Sequence, residues 1–193
     1  MKKVLLLGDS IRMGYDDFVK EELKEFEVFY DPDDNGRFSD YTIWMFNYYN
    51  NTYGPFDVVH FNCGYWDMHI ECPNGEREVP IEDYVYNLKR LVGYIKFTGA
   101  IPVFATTTPI YDTPEKEGEF EKVDYKNAWV KEYNDAALKT MKEENVLVDD
   151  LYSLLLDANK RHYKCYDSLH LTEEGYKKCA QEISRVVRSI LKP

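Results

Sequence analysis

No stretch of this chain approaches the roughly 20 consecutive apolar residues that a membrane-spanning helix needs. The apolar run Val4-Leu5-Leu6-Leu7 is cut off by Gly8-Asp9. Lys2 and Lys3 precede it, yet it is too short for the apolar core of a signal peptide, so the chain as given reads as cytoplasmic with no membrane partner. Cysteine is scarce: Cys63, Cys72, Cys165 and Cys179 show no CxxC spacing, which argues against both a disulfide framework and a structural zinc site. Positive charge is in deficit, with 24 Lys and Arg against 35 Asp and Glu, a formal net charge of −11. Such a surface repels a phosphate backbone, so no nucleic-acid partner is expected. Lys177, Lys178, Arg185, Arg188 and Lys192 near the C-terminal end read as a match to a helix dipole and a solvated face. There is no internal repeat and no linker rich in Gly, Ser or Pro, and 193 residues suit one domain spanning 1–193.

What the chain does have is alternation. Strand-like runs at Val4-Leu7, Glu27-Tyr30, Asp57-Asn62, Ile101-Thr106 and Val146-Asp149 are separated by segments of helical periodicity at about 17–25, 39–50, 81–98 and 124–144. A short helix at about 150–157 and a last helix at about 173–191 follow, the latter capped by Thr172 with Leu171 and Tyr176 spaced as a hydrophobic staple. Strands alternating with helices predict a three-layer α/β/α sandwich around a five-stranded parallel sheet, order 2-1-3-4-5, flavodoxin-like. The acidic stretch 112–124 reads as a solvated loop, and Trp44, within the apolar stripe of its helix, as core.

In such a sheet ligands bind beyond the carboxyl ends of the strands. Gly8-Asp9-Ser10 ends the first strand there, and its serine offers an exposed hydroxyl. Read alone, the tripeptide is equally a tight turn ending in a helix cap, with Asp9 ordering the loop. A nucleophilic serine needs a base, and Asp167-Ser168-Leu169-His170 supplies the residue types: Asp three residues before His can accept from Nδ1–H and leave Nε2 to take a proton.

Gly8-Asp9-Ser10-Ile11, Asn35-Gly36-Arg37-Phe38-Ser39, Gly64-Tyr65-Trp66-Asp67 and Asp167-Ser168-Leu169-His170 together, in this order along almost the whole chain, resemble the SGNH (GDSL-type) hydrolase family. The resemblance implies Ser10 as nucleophile, His170 as general base and Asp167 as its orienter. It also implies an oxyanion hole built from the Ser10 N–H, a glycine after the second strand, here Gly36, and an asparagine near Gly64. This chain departs from the pattern by carrying Trp66 where the family has that asparagine. Asn62 is the nearest substitute, and the indole N–H is another donor in a different geometry.

The implied activity is a serine esterase removing a small acyl group such as acetyl, on a small molecule or carbohydrate, with no cofactor and no metal. Tyr15, Trp44, Tyr65 and Trp66 are candidates for an aromatic platform under a sugar ring, and Arg12 and Arg37 for contacts to it, although a salt-bridged arginine is the plainer reading. Two alternatives stand beside it. One is a non-catalytic carbohydrate-binding relative whose oxyanion hole has decayed. The other is a metal-dependent phosphoesterase using Asp9, Asp67, Asp167, His60 and His170, for which no metal-ligand spacing is present.

Overall fold

The five apolar runs become the strands of one parallel sheet. In the computed structural model, which describes residues 1–70, 74–110, 125–156, 167 and 169–191, these are β1 (Lys3–Leu7), β2 (Glu27–Phe29), β3 (Val58–Phe61), β4 (Ile101–Ala105) and β5 (Leu147–Asp149). Their order is β2-β1-β3-β4-β5, as the alternating pattern predicts. Register aligns Leu7 with Phe61, and Phe61 with Phe104, so the loops after β1, β3 and β4 emerge side by side at one edge. Val4 to Leu7 and Val58 to Phe61 are buried throughout, the mark of strands covered on both faces.

The helices are α1 (Ser10–Glu22), α2 (Ser39–Tyr53), α3 (Tyr65–Met68), α4 (Ile81–Phe97), α5 (Asn127–Glu143), α6 (Leu151–Leu155) and α7 (Glu173–Ile190). Helix α1 packs on α7, whereas α2 packs on α4 and α4 on α5. None of the helices among the described residues is long and apolar enough to cross a membrane.

Two expectations need correction. The first helix begins at Ser10, not near residue 17, because Asp9 caps it by accepting from the Ile11 N–H at 2.9 Å. Gly14, which looks like a helix breaker, sits inside it for a packing reason. A Cβ there would lie 2.2 Å from the Tyr176 ring of α7, so the missing side chain is what lets the two helices close on one another. Trp44 is not core: 53% exposed, it stacks between Tyr41 and Tyr48 on the outer face of α2, while Thr42, Ile43, Met45 and Phe46 form the buried face. The acidic segment 112–124 and residues Cys72, Cys165 and Ser168 lie outside the described residues. Cys63 and Cys179 are buried free thiols.

Candidate active site

The capped start of α1 places Ser10 at the sheet's carboxyl edge, and the capped start of α7 brings up its partners. Thr172 accepts from the Gly175 N–H at 3.3 Å, which fixes the direction of the chain entering α7. Just before that cap, Asp167 Oδ1 accepts from the backbone N–H groups of Leu169 and His170, each at 2.9 Å, folding the segment into a tight turn. Its other oxygen, Oδ2, lies 2.6 Å from His170 Nδ1. His170 Nε2 in turn lies 2.9 Å from Ser10 Oγ, closing a contact between residues 160 positions apart. Burial opposes charge on Asp167, but its hydrogen bonds from the imidazole and the two backbone N–H groups outweigh that and hold its carboxyl below the ordinary range. The carboxylate is therefore ionised whenever the imidazole needs orienting.

The sequence-derived oxyanion donors are placed differently from expectation. The Gly36 N–H donates to the Gly8 carbonyl at 2.8 Å, so it is spent on joining two loops rather than left for an oxyanion. Gly36 is glycine for the same reason, since a Cβ would meet that carbonyl oxygen at 2.5 Å. The Asn62 amide nitrogen donates to the Ala105 carbonyl at 2.8 Å and to Thr107 Oγ1 at 3.3 Å, tying the end of β3 to the end of β4. Gly64 leaves room for Thr107, whose Oγ1 a Cβ would approach to 2.3 Å. The Ser10 N–H, by contrast, stands at the first position of α1, among the donors a helix leaves without an internal partner and at its positive end.

The proposed aromatic platform does not assemble, because Tyr15 and Tyr65 are buried. A different aromatic cluster does: half-buried Trp66 lies edge-on to Phe38 at 5.7 Å and to His69 at 5.4 Å, joining the loops after β2 and β3. Spacing alone gives no hint of it, since Phe38 and Trp66 meet only through the loops. Arg37 is exposed and lies over the Tyr41 ring at 5.2 Å, in a left-handed backbone conformation with φ of 42°. The residues considered for a metal do not converge. No group of three or more His, Cys, Asp and Glu residues suited to a metal ion forms among the described residues, and His60 is fully buried against Asp149 at 3.0 Å.

Asp67 holds the loops behind the site together. Its Oδ1 accepts from the Ser39 N–H at 2.9 Å, linking α3 to the start of α2. Burial pushes its carboxyl up to about 7, against the Ser39 hydrogen bonds that favour the charge. A folded-state pKa raised above the unfolded value contributes stability that is fully present below the unfolded pKa, about 4, and is lost as pH rises through about 7. Asp67→Asn keeps an acceptor for Ser39 and removes the buried charge. Thermal unfolding should therefore show the variant melting at least about 2 °C above the wild type at pH 8, with the advantage gone near pH 4. An equal difference at both values would contradict this account.

Known proteins provide the wider setting. Over 116 residues the chain is 30% identical to the human isoamyl acetate-hydrolyzing esterase 1 homolog, a match covering 56% of this chain and 46% of that protein. The chain thus spans about half the length of the curated relatives it matches. The fold superposes on the lipase/acylhydrolase from Enterococcus faecalis with a TM-score of 0.80 at 22% identity, covering 100% of this chain and 98% of that one. A carbohydrate acetylesterase family member from Sinorhizobium meliloti superposes with a TM-score of 0.77 at 17% identity, with 100% of both chains covered. The sequence pattern of the GDSL-like lipase/acylhydrolase family extends over residues 6–178, from the end of β1 into α7, and the chain belongs to that family.

Proposed function

We propose that this protein is a serine esterase working through an acyl-enzyme, and that its substrates carry a small acyl group, acetyl foremost, on a carbohydrate. The observation that carries the reading is the unbroken relay from Ser10 Oγ to His170 Nε2 at 2.9 Å and from His170 Nδ1 to Asp167 Oδ2 at 2.6 Å. In this mechanism His170 takes the Ser10 proton as Oγ attacks the ester carbonyl, then returns it to the departing alcohol. Water, deprotonated by the same imidazole, releases the acid and regenerates Ser10. Asp167 keeps the Nδ1–H tautomer and offsets the charge that His170 acquires. The Ser10 N–H and the positive end of α1 stabilise the developing oxyanion.

The acetyl assignment draws on what several similar proteins are named for: acetate ester hydrolysis in the human relative, and carbohydrate or xylan deacetylation in two structural neighbours. The test is a panel of p-nitrophenyl esters from acetate to octanoate, together with acetate release from acetylated xylan oligosaccharides. The expected result is kcat/KM falling with acyl length and acetate appearing from the oligosaccharides. Because Gly36 and Asn62 spend their N–H groups internally, the competing outcome is a sugar-binding protein without turnover. Sugar binding with no ester cleavage, in folded protein whose Ser10 ignores a fluorophosphonate, would replace the esterase reading with that one.

A further inference from the structure

A fully buried arginine is costly to keep, and Arg12 is one, its side chain 0% exposed. Among the described residues it has one carboxylate partner, Asp16, whose Oδ2 accepts from Nη1 at 2.6 Å. The remaining bonds of the guanidinium go to main chain. Nη1 donates to the Asp31 carbonyl at 2.6 Å, Nη2 donates to the Asp34 carbonyl, and Nε reaches the Gly8 carbonyl at 3.4 Å. That same Gly8 carbonyl receives the Gly36 N–H at 2.8 Å. The side chains of Asp31 and Asp34 accept instead from the hydroxyls of Tyr49 and Tyr41. Arg12 therefore gathers carbonyls from two separate loops, one of which leads directly into Ser10.

We propose that Arg12 is a positioning residue for catalysis, its guanidinium fork fixing the loop between β2 and α2 against the Gly8 to Ser10 turn. The proposal rests on Ser10 being the nucleophile. A planar group with donors fixed in a fork can hold carbonyls lying in several directions, which a single ammonium cannot do. Without it, the carbonyls of Asp31 and Asp34 lose buried donors, and the Gly8 carbonyl, two residues from Ser10, loses one of the two donors the described residues give it, keeping the Gly36 N–H. Misplacement of a nucleophile by about an ångström costs on the order of 100-fold in rate, far more than the binding of a small ester would feel. The effect belongs in kcat.

The experiment compares Arg12→Ala and Arg12→Lys with the wild type on p-nitrophenyl acetate, with near-ultraviolet circular dichroism to establish folding. Arg12→Ala should lose on the order of 100-fold in kcat with little change in KM, and Ser10 should react with a fluorophosphonate correspondingly more slowly. Millimolar guanidinium should restore part of that loss, and should not act on Ser10→Ala. Arg12→Lys should fall between. A purely structural arginine would lower the melting temperature and leave kcat and the labelling rate unchanged in the folded variants, which would overturn the proposal. If Arg12→Ala does not fold, wild-type kcat in Arg12→Lys overturns it equally. Amide exchange at Gly36 separates this from the nucleophile assignment: faster exchange in Arg12→Lys supports the tether even if wild-type Ser10 proves unreactive, and unchanged exchange refutes it.

Discussion

Ser10→Ala is expected to remove ester hydrolysis almost completely, lowering kcat on the order of a millionfold. The size follows from the chemistry: without Oγ no acyl-enzyme forms, and His170 can only assist a water that no group positions. The measurement is turnover of p-nitrophenyl acetate, paired with intact mass after fluorophosphonate treatment. Wild type should gain one adduct and the variant none. Ser10 is half-buried at the start of α1 and its side chain contacts His170, so the loss of one oxygen should leave the fold in place. Hydrolysis persisting in Ser10→Ala at wild-type rate, or an adduct on another residue, would end the assignment of Ser10 as nucleophile.

Asp167→Asn is expected to cost on the order of ten-thousandfold in kcat, and for a reason visible in the two oxygens of Asp167. Oδ1 receives the backbone N–H groups of Leu169 and His170 and shapes the turn, whereas among the described residues Oδ2 bonds the imidazole. An asparagine carboxamide keeps the first function, so the turn survives. In the second position it presents an N–H to Nδ1, which must then accept, and the proton moves to Nε2. The imidazole faces Ser10 Oγ with a donor where it needs a lone pair. A folded variant with unchanged melting behaviour and lost kcat is the predicted signature. Should Asp167→Asn retain more than about a tenth of wild-type kcat, orientation by Asp167 would not be what drives the reaction.

The sheet and the approach of Ser10, His170 and Asp167 to one another were legible in the sequence because each rests on a strong local signal. Val4-Leu7 and Val58-Phe61 read as buried strands because short runs that are apolar throughout, or in all but His60, followed within a few residues by a glycine leave few other options. Asp167 and His170 read as a pair because three residues of spacing across a turn suffice to bring a carboxylate to an imidazole. What escaped were features decided by main-chain atoms or by distant contacts. The Arg12 bonds go to carbonyls, which carry no sequence signature. The helical placement of Gly14 is decided by the Tyr176 ring far along the chain. For Gly36 and Asn62 the direction of an N–H is a property of the fold, and theirs point to carbonyls and to the Thr107 hydroxyl. Trp44 differs from the reading because aromatic residues count as apolar in a periodicity, while Trp44 and Tyr48 stand exposed, stacked beside the partly buried Tyr41.

The separation of Ser10 and His170 by 160 positions has a consequence for the life of the chain during synthesis. In the proposed mechanism the nucleophile and its base stand 160 positions apart, so the two can meet only once α7 has settled into the gap that Gly14 leaves on α1. On that mechanism a chain in which α7 has not docked on α1 lacks the base for Ser10. Ester cleavage is then expected of the closed molecule alone, and the rate at which it appears during refolding should time the docking of that helix.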